Sequence, residues 1–496
     1  MKLYLPVNLD LNQLIYDNPR PATFNPYKKE KLMYIIHLLN AMPLMNKDLL
    51  CDDFISLNAQ MLQKFIQNYN DYLSYLINDL KIVETDGRYI VGQKSKGFRL
   101  IEKYRTSVVA TPILDRTFYK ALQVNKNKKM DSVKHLGDLT KWFNGDLQIN
   151  MDVVPDFLNE EFALKSKNYD LWDYNRIKKA HIKPINQFNH AKMSTEKLSR
   201  KDYYLILDQE VYRFHSNLTN MRSIIRNAIT YKGQKLVSID IKNSQPYLST
   251  LLLNRDFWIT AKNEPKKDAF LSISFDEPKI LYSTSFNNLK GSKSNLININ
   301  NINNNKVVPY TMLGEMENAL LQQGFDHYIQ LVVSGNFYEY LEEVFKMNLG
   351  VGYADRKDVK TAVFQVLFTD NRFLGQEDAK PKKLFQKLFP EVYNIFSKIK
   401  SKDKSLLPRL LQSIESYLIV DVICKRISTE LPNAPIFTIH DSIATTEEYV
   451  DAVELIMEDE LCSAIGYPPK LKKEPWELEN MEKYLNDLRK RAKGVA

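Results

Sequence analysis

The spacing of apolar residues changes several times along the chain. Near the N-terminus, "AQMLQKFIQNYNDYLSYLIND" sets Leu62, Phe65, Ile66, Tyr69, Tyr72, Leu73 and Leu76 at helical spacing and predicts one helix with a buried face. "LKIVETDGRYIVGQKSKGFRL" then shortens the period. It predicts two short strands turning at Asp86-Gly87, with a further pairing around Lys94–Lys96. A helix followed by a basic hairpin has the pattern of a winged-helix unit over residues 1–105. The wing would offer Arg88, Lys94, Lys96 and Arg99 to phosphates. The same pattern also describes a small packing domain with a solvated basic turn, or a protein-docking unit. Residues 106–210 are polar and mostly helical in pattern, a helical linker or thumb-like region.

Two later stretches share a different pattern. "LVSIDIKNSQPYLSTLLL" (236–253) is an apolar strand ending in Asp240, followed by a polar tetrad, Pro246 and another apolar run. "APIFTIHDSIATTEE" (434–448) is again an apolar strand, and it ends in Asp441. An acid at a strand end commonly caps a turn or joins an ion pair. Buried without a partner or a cation it is costly. Two such acids on two strands suit a divalent metal that takes few carboxylates and completes its shell with phosphate oxygens.

Between them, "GYADRKDVKTAVFQVLFTDNR" (352–372) repeats Arg356, Lys360, Phe364 and Phe368 every fourth residue. On a helix these form one slowly winding stripe. Two cations can grip a triphosphate and two aromatics can stack on a base or wall off a sugar. The bland alternative is an amphipathic helix with its aromatics in the core and its cations in water.

Composition narrows the class. The chain has 496 residues, enough for about two to four domains, and its 44% hydrophobic and 11% aromatic content supports large cores. A net charge of +9 favours a polyanionic partner without specifying one. Cys51, Cys424 and Cys462 have no metal-ligand spacing and fit a reducing, cytoplasmic setting. No apolar run has the length of a membrane span. "FNNLKGSKSNLININNINNNK" (286–306) holds nine asparagines and little to bury, so it reads as an insertion within a larger domain.

Order and combination carry more than any one piece. The series resembles the polymerase domain of family A DNA polymerases and their relatives, the single-subunit phage-type RNA polymerases. "DIKNSQPYLSTLL" is similar to motif A, "RKDVKTAVFQVLF" to motif B and "IHDS" to motif C. "YRFHSNLTNMRSIIRNAITYKGQKLVSID" is similar to the stretch before motif A, with Arg213 as its arginine, and "LLQSIES" to the glutamine-containing helix before motif C, with Gln412. The five pieces keep the family's order over about residues 205–450.

The resemblance implies an α+β right-hand fold of palm, fingers and thumb, with palm and fingers over 211–496 and the fingers at about 255–400. It implies a two-metal-ion nucleotidyltransferase that extends a DNA primer-template with dNTPs, lacks a proofreading exonuclease, and belongs to the kind of replication system a phage, plasmid or mobile element carries. Asp240 and Asp441 would bind two Mg²⁺ ions, for which Mn²⁺ can substitute. Arg356 and Lys360 would hold the triphosphate, with Lys360 also protonating the leaving pyrophosphate. Phe364, Phe368 and Gln245 would lie by the nucleotide, and Arg213, Gln412 and His440 by the primer-template. "LVVSGNFYEYLEE" (331–343) would turn at Gly335 and Asn336 and serve a structural role on the fingers side.

The sequence departs from the family in several places. Gln365 and Thr369 replace two glycines, and Phe368 stands where the family has tyrosine. Ser442 replaces the second acid of motif C in DNA polymerases, as in the phage RNA polymerases. Gln245 occupies the position of a bulky glutamate that excludes ribose, and so favours deoxynucleotides. Two other readings stay open: an RNA polymerase or primase-like enzyme using NTPs on the same scaffold, and an inactive nucleic-acid-binding regulator. Intact Asp240, Asp441, Arg356 and Lys360 disfavour the second.

Overall fold

In the computed structural model the described residues are 1–45, 54–88, 95–175, 180–258, 310–321, 324–349, 356–372, 374 and 379–494. Lys94 and the asparagine-rich 286–306 stretch lie outside them.

Apolar burial divides the chain between two large cores. One gathers side chains from Leu3 to Leu122, the other from Val133 to Leu485. A small cluster of Tyr4, Ala41, Val108 and Met193 lies between them.

The first core runs helix Lys29–Met45, strand β2 (Ile55–Ser56), helices Ala59–Gln63 and Tyr69–Ser74, strand β3 (Val83–Thr85) and strand β4 (Gly97–Leu100). The three strands form an antiparallel sheet in the order β2-β4-β3. Strand β1 (Leu3–Pro6) pairs separately with β5 (Val108–Thr111). The single helix expected over Leu62–Leu76 is two segments that run into a π-helical turn, Tyr75–Asp79. Asn68 breaks it: its side-chain amide donates to the Pro26 carbonyl at 3.3 Å and to Asp71 at 3.2 Å, competing with helical backbone bonds. The hairpin that follows is tied by Asp86, whose carboxylate accepts from the Gly97 amide at 2.8 Å and the Arg88 amide at 3.1 Å. A Cβ at Gly97 would come within 2.6 Å of Phe54 Cβ, so only glycine fits there.

Residues 106–210, expected as a helical linker, divide between the two cores. Strand β5 closes onto the N-terminus. Strand β6 (Leu147–Ile149) and helices Val154–Lys167 and Pro184–Ser199 belong to the second core. Two short antiparallel pairs, β7 (Tyr174–Asn175) with β8 (Ala180–His181) and β9 (Ile206–Leu207) with β10 (Phe214–His215), lead towards the main sheet.

That sheet runs β13-β14-β12-β11-β6, with β15 also on β12. Its centre is β12 (Gln234–Ile241), flanked by β14 (Ser442–Thr446) and β15 (Leu471–Pro475) and joined through its first residues to β11 (Ile229–Tyr231). Leu236, Val237, Ser238 and Ile239 are consecutively buried, the pattern of a strand covered on both faces. Strand β13 (Phe437–Ile439) completes a tight hairpin with β14.

Candidate active site

The two strand-end acids meet on neighbouring strands. Asp240, near the end of β12, lies opposite Ser442 on β14 and Lys472 on β15. Asp441 lies in the two-residue link between β13 and β14, and the Ile241 amide donates to its carbonyl at 3.4 Å. The link residue before it, His440, holds φ at 56°, a left-handed conformation uncommon for a non-glycine. Asn243 repeats the feature after the other acid, with φ at 54° immediately before helix Ser244–Ser249. Pro246 falls in that helix's first turn, where a missing N–H costs nothing. The strand can therefore break just past Asp240 and turn into a helix.

Both acids are held above the usual carboxylate range. Burial pushes Asp240 up to about 7, and the charges of Asp441 and Glu474 add to the rise, against relief from Lys360 and Lys472. Asp441 is likewise raised by burial, and eased by a backbone bond, the Ser244 hydroxyl, Lys360 and Arg213. Lys360 acts on both. Glu474 sits on β15 opposite Ser238, an acid near Asp240 that the sequence pattern did not reveal. Ser442, in the place of the family's second acid, donates its hydroxyl to the Ile439 carbonyl at 3.0 Å and so braces the hairpin.

The cations arrive on helix Arg356–Phe368. Its core face is Val359, Ala362, Val363, Val366 and Leu367; along the stripe Arg356 and Lys360 are exposed, and Phe364 and Phe368 are half-buried and pack against the core's edge. The two phenyl rings stack with centroids 5.2 Å apart at 22°, and the Lys360 Nζ stands 5.6 Å from the Phe364 ring centroid. Arg356 is held by an ion pair with Glu339 and lies 5.8 Å over the Tyr338 ring. Both partners follow the turn at Gly335, so the 331–343 segment orients a site cation as well as turning the chain. Two buried lysines hold the far end of this helix. Lys400 donates to the carbonyls of Val366 at 2.5 Å and Thr369 at 3.1 Å, and Lys382 donates to the Asp370 carbonyl. Cations suit the negative end of a helix, though burial and the nearby Lys382 bring Lys400 down to about 7.

Beneath the acids lies Glu415, a residue sequence reasoning missed. It is 2% exposed, at the end of helix Leu406–Ser416, just before a π-helical turn at Tyr417–Ile423. Its carboxylate is 2.7 Å from the Arg213 guanidinium and 2.6 Å from the Gln245 side-chain nitrogen. Burial pushes it up to about 7, and Asp441 adds to the rise. The sequence signal was the acid itself inside "LLQSIESYLIV", an otherwise apolar run. Gln412 is half-buried about one turn earlier on the same helix. The His440 ring is 5.8 Å from that of His215. Several buried polar atoms here have no hydrogen-bond partner among the described residues: both side-chain polar atoms of Asn243, Gln245 Oε1 and Arg213 Nε. Such atoms are expensive unless something binds to them.

Among the described residues no three His, Cys, Asp or Glu side chains are grouped to hold a metal ion. The Asp240–Asp441 pair fits the smaller demand of Mg²⁺, an ion that keeps waters and substrate phosphates among its ligands.

The N-terminal basic residues are apart from this cluster. Arg88 and Lys96 are exposed on the hairpin of the first core. Arg99 donates to Glu84 at 2.8 Å and stacks 4.1 Å over Phe54, so its guanidinium is already engaged. Helix Tyr69–Ser74 and its π-helical extension expose Asn70, Asp71, Ser74 and Asn78, a face without a cation.

No family model matches the chain, and no curated protein matches its sequence. Among solved structures, the chain is similar to the POL domain of Pol1 from M. smegmatis, solved in complex with DNA primer-template and dNTP. The likeness has 10% identity and a TM-score of 0.38, over 73% of this chain and 74% of that one. That level of likeness transfers no property to this chain. No helix among the described residues is long and apolar enough to cross a membrane.

Proposed function

We propose that the chain is a template-dependent nucleotidyltransferase, a DNA polymerase of family A type that extends a primer without proofreading. One observation carries this: Asp240 near the end of β12 and Asp441 in the adjoining β13–β14 link are both half-buried acids held above the usual carboxylate range, and both are eased by Lys360, on a helix that also presents two stacked phenyl rings. Structural ion pairs settle their charges. This pair does not, and it gains from a divalent cation and a triphosphate.

The residues divide the work. Asp240 and Asp441 would hold Mg²⁺, which supplies charge neutralisation at the phosphates and lowers the pKa of a hydroxyl bound to it. Arg356 and Lys360 bind the β- and γ-phosphates, and Lys360 gives a proton to the pyrophosphate oxygen as it leaves. Phe364 and Phe368 pack on the sugar and base. Arg213, Gln412 and His440 face the primer end. The 3′-hydroxyl attacks the α-phosphate in line, with positioning as the protein's main contribution.

The second reading, an RNA polymerase or primase-like enzyme, draws on Ser442, whose bond to the Ile439 carbonyl leaves the motif C hairpin with one acid. The N-terminal unit would dock template, an origin or a partner protein. Primer extension on DNA and RNA templates with dNTPs or NTPs, with and without Mg²⁺, tests both readings. DNA synthesis from dNTPs is expected. Chain initiation from NTPs alone would favour the second, and no incorporation on any template would overturn both.

A further inference from the structure

The geometry points to Glu415 as a positioning residue that makes the site refuse ribonucleotides, by locking Gln245 in one orientation beside the incoming sugar. The inference rests on the polymerase reading and assigns a role to a residue to which the resemblance gave none.

Four observations carry it. First, Glu415 lies almost wholly out of water, and its carboxylate meets side chains from far along the chain: Arg213, 202 positions away, and Gln245, 170 positions away. Second, the Gln245 side-chain nitrogen donates to the Glu415 carboxylate at 2.6 Å, and that bond fixes which end of the amide faces the acid. The nitrogen points to Glu415 and the oxygen is turned away. Third, that oxygen is buried without a partner among the described residues, as are the polar atoms of Asn243 two positions earlier. Fourth, Gln245 sits in the turn that begins just after Asp240, on the short helix Ser244–Ser249.

The consequence is mechanical. A free glutamine side chain swings between rotamers at little cost, and would yield to a 2′-hydroxyl pressed against it. A glutamine held by a bond at 2.6 Å to a buried acid yields only by breaking that bond where water cannot replace it. The contact with the Arg213 guanidinium at 2.7 Å holds Glu415 in place. Gln245 supplies the bulk and Glu415 makes the bulk rigid.

The test compares kcat/KM for a dNTP and its matching NTP opposite one template base. Four proteins are compared: the wild type, Glu415→Gln, Gln245→Gly and the double variant, each with its melting temperature. The wild type should prefer the dNTP. Glu415→Gln, which keeps the shape but can also donate to the amide oxygen, should lower that preference by about tenfold or more. Gln245→Gly should lower it at least as far, and the double variant no further, because the acid acts through Gln245. Loosening Arg213 would change both nucleotides alike, so the ratio isolates the Gln245 arm. If Glu415→Gln folds poorly, Glu415→Asp keeps the charge on a shorter stem and should lower the ratio by less. An unchanged ratio in the Glu415 variant while Gln245→Gly changes it would overturn the proposal and leave the polymerase reading intact. So would a ratio that moves towards the dNTP. A wild type that incorporates neither nucleotide would overturn both.

Discussion

The acidic and the cationic halves of the site are built differently. Asp240 and Asp441 are fixed on a central sheet, desolvated, and flanked by two non-glycine residues with φ near +55° (54° at Asn243, 56° at His440). Arg356 and Lys360 are exposed, on a helix whose core face is turned elsewhere. Arg356 is about half exposed and held by Glu339, an equally exposed partner. The acids carry a standing electrostatic cost that a bound cation relieves. The cations carry almost none, because water and a surface carboxylate satisfy them until a substrate arrives. The half that must be exact is rigid and strained, and the half that must grip and release is solvated. Lys400 and Lys382 reconcile the two by pinning the far end of that helix to the core.

The largest expected effect breaks the acidic half. Asp240→Asn or Asp441→Asn should lower nucleotide incorporation by ~10³-fold or more in a rapid-quench assay. Chelation of Mg²⁺ should do the same. Next comes the cation shared by both acids: Lys360→Ala should lower kcat/KM for the nucleotide by about 10²-fold, mostly through kcat. Arg356→Ala should raise KM by about tenfold, and Glu339→Gln should lower it by roughly two- to threefold by freeing Arg356. If Glu339→Gln weakened nucleotide binding instead, Glu339 would be an orienting partner and not a competitor.

The smallest effect is on stability, and its sign separates the halves. Asp240 binds its proton more tightly folded than unfolded, because its folded pKa is about 7 against an ordinary 3.8. The folded protein therefore holds the extra proton between about pH 4 and 7, and stability falls as pH rises through that window. Without divalent cation, thermal melts should show that fall. Asp240→Asn should flatten it and raise the melting temperature at pH 8, by an amount on the order of 1–2 kcal/mol in stability. Arg356→Ala should leave the profile unchanged.

Much of the site was legible because its chemistry is local. A strand-end acid, a stripe repeating every four residues and a proline in a first helical turn each follow from a few adjacent residues. The two readings of the stripe are both partly met: valine, alanine and leucine fill the core, and Phe364 and Phe368 stack on each other while packing, half-buried, against its edge. What the sequence did not disclose depends on distant partners. Glu415 means little until Arg213 and Gln245 fold over it. Lys400 and Lys382 gain their role only where the end of helix Arg356–Phe368 meets them. Glu474 comes near Asp240 only because β15 pairs with β12. The helical linker over 106–210 dissolved for the same reason: β5 and β6 join different sheets, and three-residue strands leave no periodic trace. Asn68 shows the converse, a local breaker hidden inside a good apolar spacing.

The most direct test is single-nucleotide insertion opposite each of the four template bases, with Mg²⁺, by the wild type and by Asp240→Asn. The account predicts that the wild type adds the complementary nucleotide at each template base and that Asp240→Asn adds none. Addition that ignores the template base, or that survives Asp240→Asn, would contradict it.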